Sequence, residues 1–115
     1  MTTEDRELLE WAAKSVGIKL EINVYGSGNY DAGFWTAYGG IERHSWNPWD
    51  PIKDDGDALR LAVKLKLHIK LTCIGCTINA PLKGVFLGES CEDDEYATTR
   101  RAIVRAATAI GRSMV

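Results

Sequence analysis

No apolar run in this chain approaches the ~20 residues that a membrane-spanning helix needs. The opening MTTEDRELLEW also lacks the basic segment followed by an apolar stretch that marks a secretory leader. The expectation is a soluble protein of the cytoplasm, a host's cytoplasm if the chain is viral, with no membrane partner. Net charge is only −2, so there is no global field of the kind carried by a nucleic-acid binder or an acidic mimic of DNA. Cysteines are few and odd in number: Cys73, Cys76 and Cys91 do not make a closed disulfide framework, and free thiols in a reducing compartment are the default. No G-x-S-x-G occurs, and His44 and His68 are the only histidines that could serve as a base, which leaves serine-hydrolase logic without its parts. The GSG of residues 26–28 is followed by aromatic, glycine-rich chain rather than by a helix with a Lys-Ser or Lys-Thr pair, so a phosphate-binding loop is not expected. Internal repeats and long linkers are absent as well. With 115 residues and 45% apolar content, the whole of 1–115 reads as one domain with a self-sufficient core.

What is present begins with a helix over residues 4–16, where Leu8, Trp11, Ala12 and Val16 share a face, Thr3 is a candidate N-cap and Gly17 stands at the left-handed stop position. A strand follows, because Ile18, Leu20, Ile22 and Val24 alternate with Lys19, Glu21 and Asn23. Residues 25–49 hold seven of the ten aromatic side chains and five glycines. Phe34 to Tyr38 is expected to pair with the first strand through the YGSGNYDAG turn. Pro48 and Pro51 should keep WNPWDP irregular. A second helix is then capped by Asp54 or Asp55, with Asp57 in its first turn and Ala58, Leu61, Ala62 and Leu65 as its buried stripe. Residues 68–79 and 82–88 read as two more strands joined through Asn79, Ala80 and Pro81. Asp93 or Asp94 caps a last helix reaching about Met114, with an inner stripe of Ala97, Ile103, Val104, Ala107, Ile110 and Met114. The order favours an α+β domain in which a mostly antiparallel sheet of about four strands is covered by three helices, an α/β/α sandwich-like arrangement.

Three blocks, EWAAKSVGI, WNPWDPIKDDGDALRLAVKLKL and TRRAIVRAATAIGRSM, resemble small bacteriophage and prophage proteins with a phage ABA-sandwich domain. DDGDALRLAVKL is the distinctive part; the end helix alone is generic. The resemblance implies a sheet sandwiched between helices and a phage accessory protein, in a family whose function is largely unassigned.

Several constellations could carry chemistry. Cys73-Ile74-Gly75-Cys76 could place two sulfurs on one zinc ion, with Cys91 and His44 or His68 completing the set. On an uninterrupted strand, however, positions 73 and 76 point to opposite faces, and small apolar packing residues are the plainer reading. A redox role is weaker still, because the thioredoxin arrangement needs the first sulfur at a helix N-terminus. Asp50, Asp54, Asp55 and Asp57 could gather a hard cation, but helix capping accounts for them without one.

The remaining features are surfaces. Residues 96–115 carry four arginines and no acid, while residues 50–95 carry nine acids against six bases. Arg101, Arg105 and Arg112 should line one solvent-facing ridge with Arg100 beside them, either gripping a partner's carboxylates or phosphates or serving as a solvated face that suits the helix C-terminus. Trp46 and Trp49 straddle Pro48, and one of them is expected to stay partly exposed as a partner's anchor. The expectation is a non-enzymatic protein without a cofactor. Through Trp46, Trp49, Arg101, Arg105 and Arg112 it would bind a host protein or complex such as a CRISPR effector. Two alternatives stand beside it: a binder that sequesters nucleotide signals, and a thiol or zinc protein using Cys73, Cys76 and Cys91. A homodimer is compatible with each reading.

Overall fold

The structure, a computed structural model, describes residues 3–18, 20–23, 33–37, 46–91 and 93–114, with the side chains of residues 21–23, 33–37 and 46–48 left aside. The YGSGNYDAG turn, the GSG of 26–28, the glycine pair at 39–40 and His44 lie outside the described residues.

Helix α1 spans Thr3–Ser15 and buries Leu9, Ala12 and Ala13. Its stop is the one the sequence announces: Gly17 is left-handed at φ 70°, and the Gly17 and Ile18 amides donate to Lys14 O and Ala13 O at 3.2 and 2.9 Å, satisfying carbonyls that the helix leaves open. Strands β1 (Leu20–Asn23) and β2 (Gly33–Ala37) pair antiparallel, Leu20 facing Thr36. A third short strand, β3 (Trp46–Pro48), pairs with β2. The prolines do not abolish regular structure there, because a proline at the end of an edge strand removes no ladder bond.

Helix α2 (Asp55–Lys64) starts at Asp54, whose carboxylate accepts from the Asp57 amide at 2.8 Å, and buries Ala58, Leu61 and Ala62. It ends in a left-handed residue that is not glycine: Lys66 has φ 56°, and the amides of Lys66 and Leu67 close the helix on Val63 O and Ala62 O. What the sequence presents as one strand over 68–79 is a hairpin of β4 (His68–Thr72) and β5 (Gly75–Ala80). Thr72 Oγ1 donates to Gly75 O across the turn at 3.1 Å. Gly75 is required, since at φ 154° a Cβ would lie 2.0 Å from the Glu89 carbonyl oxygen. A single 3-10 turn, Pro81–Lys83, leads into β6 (Val85–Ser90), which pairs with β5.

Helix α3 (Glu95–Ser113) is capped by Asp94, which accepts from the amides of Tyr96 and Ala97 at 2.9 and 3.2 Å. It is the centre of the molecule, packing against α1, α2, β5 and β6. Its buried surface therefore exceeds the expected stripe: Ala102, Ala106, Thr108 and Gly111 are inside, whereas Met114 is 53% exposed. The crossing with α1 is close. Thr108 Oγ1 donates to Leu8 O at 2.9 Å as well as to Val104 O at 2.8 Å, and a Cβ on Gly111 would stand 2.0 Å from Trp11 O.

The class is α+β, with three α-helices and antiparallel sheets among the described residues. The described strands number six rather than about four, in two separate three-stranded sheets, β1-β2-β3 and β4-β5-β6. The second sheet turns Cys76, Ile78 and Ala80 inward and leaves Phe86 73% exposed on its other face.

Candidate functional site

The arginines hold the fold together. On α3, the Arg100 Nε donates to Ile52 O at 2.8 Å and its Nη1 to Asp55 Oδ1 at 2.7 Å, with only 17% of the side chain exposed. Arg101 reaches Asp5 of α1 at 3.7 Å. Arg105 Nη1 stands 2.7 Å from Glu89 Oε1 of β6, although that oxygen receives no aligned hydrogen bond; the contact is an attraction of charges. The Arg112 guanidinium lies 6.0 Å from the Trp11 ring centroid, and Lys14 Nζ lies 5.2 Å from it, a cation–π arrangement. Each arginine of the expected solvent ridge thus also contacts a neighbouring element. The sequence could not show this, since every partner comes from a different segment.

Trp49 is 2% exposed and belongs to the core, so it is not offered to a partner. It is large enough that burying it serves the core better than any surface contact would. The backbone of Trp46 forms β3, and its side chain lies outside the described residues.

The aspartates are engaged locally. Asp54 caps α2, Asp57 accepts from the Asp50 amide at 3.0 Å and from Arg60 Nη1 at 2.9 Å, and Asp50 Oδ1 accepts from the Ile52 amide at 3.2 Å. Burial pushes the Asp50 carboxyl above its ordinary range, against the lowering effect of the Ile52 amide and Lys53. Of the thiols, Cys73 is exposed in the hairpin turn, Cys76 is buried on the inner face and Cys91 is half-buried. Burial pushes the Cys76 thiol up, with the neighbouring Thr99 acting in the opposite direction, and burial of this kind favours the neutral thiol over the reactive thiolate. Among the described residues no group of three or more His, Cys, Asp or Glu side chains is placed to hold a metal ion.

The described residues also enclose a concavity that no single sequence motif announces. A cleft of about 620 Å³ opens where α2, the β4–β5 hairpin and the start of α3 meet. Its walls are largely apolar: Ala58 and Leu59 from α2, Ile69 and Leu71 from β4, Tyr96 and Ile103 from α3. Leu59, Leu71 and Tyr96 are 61%, 66% and 65% exposed, and Ile74 at the hairpin tip is 75% exposed. Asp55 and Glu95 stand on the rim with Arg100, while Cys73 and Cys91 line the hairpin side. Thr98 and Thr99 also line it, but their hydroxyls donate to Asp94 O and Glu95 O of their own helix. Among the described residues, the lining contains no histidine. Large side chains left in water around a shaped hollow are the usual mark of a binding surface.

Compared with family models, with curated proteins and with solved structures, the chain matches none. Among the described residues no helix is long and apolar enough to cross a membrane.

Proposed function

We propose that this is a small non-enzymatic binding protein that docks on another protein through the cleft between α2, the β4–β5 hairpin and α3. The observation that carries the reading is the cluster of Leu59, Leu71 and Tyr96, each more than half exposed around one hollow. Water-facing side chains of this size gain most when a partner covers them, at about 25 cal/mol per Å² of apolar surface buried. The three sequence blocks that resemble phage ABA-sandwich proteins support a viral origin and, with it, the sandwich arrangement. They make a host factor in the host cytoplasm, such as a component of an antiviral defence complex, the favoured partner. Nucleotide sequestration has less support at this cleft, because its rim sets two carboxylates, Asp55 and Glu95, against a single guanidinium already paired with one of them.

The test is capture from host lysate by the parent chain and by Tyr96→Glu, an exposed change that leaves the core intact. A stoichiometric partner held by the parent and lost by the variant supports the reading. A partner held equally by both places the contact elsewhere, and no stoichiometric partner at all counts against the binding function itself.

A further inference from the structure

The β4–β5–β6 sheet ends in two unlike features. At one end is the cleft, bordered by Thr72, Cys73 and Gly75 of the hairpin. From there β5 runs to Ala80 and β6 returns from Val85 to Ser90 beside Gly75, so the Pro81–Lys83 turn stands at the opposite end of the same sheet. Leu82, at the tip of that turn, is 99% exposed, and Phe86 beyond it is 73% exposed. The tip is held in shape by Pro81 at its start and by left-handed Gly84 at φ 69°, whose amide donates to Pro81 O at 3.3 Å. It therefore presents a leucine followed by a lysine with little freedom left to lose on docking. The cleft offers the complement, an apolar hollow whose rim carries Asp55 and Glu95.

Resting on the reading of the cleft as a docking surface, we propose that its occupant is a second copy of this chain. Leu82 of one copy enters between Leu59, Leu71 and Tyr96 of the next, and Lys83 meets the rim carboxylates. The contact joins unlike patches, so a joined pair keeps one unused tip and one unused cleft, and the assembly grows head to tail into a ring or an open filament. A foreign partner seated in the cleft would cap that growth.

Two exposed changes separate the halves of the contact: Leu82→Asp removes the tip, and Leu59→Glu spoils the cleft. Sedimentation velocity on the full chain, from micromolar to millimolar concentration, should show the parent associating and either variant weakened by roughly tenfold or more, the effect of one leucine left unburied. High salt should weaken the parent as well, through Lys83. Mixed together, the two variants should form a one-to-one pair that grows no further, because a single intact tip and a single intact cleft remain. Circular dichroism verifies folding, and Tyr96→Glu replaces Leu59→Glu if the latter loses helical signal. A parent that stays monomeric throughout overturns the inference and leaves the foreign-partner test standing. Association that Leu59→Glu weakens but Leu82→Asp does not keeps a second copy in the cleft and overturns the Leu82 tip as the part that enters it. A mixture no heavier than its parts overturns the head-to-tail contact.

Discussion

Replacing Gly111 by alanine should destabilise this protein, although the same change in an open helix would stabilise it. A glycine inside a helix costs about 1 kcal/mol relative to alanine, so propensity alone favours the substitution. The α1–α3 crossing opposes it. The new methyl carbon would sit 2.0 Å from the Trp11 carbonyl oxygen and 2.9 Å from the carbonyl carbon, the first of them more than 1 Å inside an ordinary van der Waals separation of roughly 3.5 Å. Both atoms are backbone, so the helices must part. Overpacking of this kind costs about 1–3 kcal/mol. Parting also strains the bond from Thr108 Oγ1 to Leu8 O at 2.9 Å, which contributes about 1 kcal/mol. After the gain in propensity, the net loss should be about 2 kcal/mol, or a melting temperature lower by roughly 6–12 °C for a domain of this size. Urea unfolding with an unchanged slope is the assay. Gly56→Ala is the control, since its methyl would press on side chains and not on backbone, Asp54 Oδ2 at 3.2 Å and Arg60 Nη1 at 3.3 Å; it should cost clearly less than Gly111→Ala. A Gly111→Ala protein as stable as its parent would refute the close crossing.

Lys66→Gly should raise stability by about 0.5–1 kcal/mol, because a side chain held at φ 56° is strained and glycine is not; a lower urea midpoint would contradict this. Asp50→Asn tests the raised carboxyl. The folded state holds that proton more tightly than the unfolded state, so the group's stabilising contribution is present at low pH and is lost as pH rises from about 4 through the folded-state value. Relative to the parent, the asparagine variant should gain stability as pH rises above the ordinary carboxylate range of about 4, and a difference that stays flat with pH would rule out the burial argument. Alkylation followed by peptide mass analysis should mark Cys73 first, Cys91 more slowly and Cys76 only on unfolding. Equal labelling of Cys73 and Cys76 would show that the hairpin does not seal the inner face.

Much of this architecture could be read from local pattern. The α1 stop at Gly17 and the caps at Asp54 and Asp94 follow from chemistry within a few residues. The β4–β5 hairpin was hidden because Thr72 to Gly75 lacks the Asn-Gly or Asp-Gly pair that announces a tight turn. One signal was available: inward positions are odd at Ile69 but even at Cys76, Ile78 and Ala80, and such a change of phase in a period-two pattern requires a turn. The stripe on α3 came out too narrow because alanines and Thr108 read as neutral until a helix is covered on several sides. For the cleft, the trace lay in Leu59 and Val63, apolar residues one turn apart on the outer face of α2. Leu71 and Tyr96 join them only through tertiary packing, which no single segment encodes. The arginines' contacts across elements are hidden for the same reason, since their partners Asp5, Asp55 and Glu89 lie on three other elements.

Because α1, α2, β5 and β6 all precede α3 and pack against it, their enclosure cannot follow the order of synthesis. The bond between Thr108 and Leu8 spans 100 positions, and contacts of such range close slowly. A nascent chain would emerge with the inner faces of α1, α2 and the second sheet uncovered, and would have to wait for α3 before they could be enclosed. A cut within α3 should therefore yield an aggregate, not a working protein.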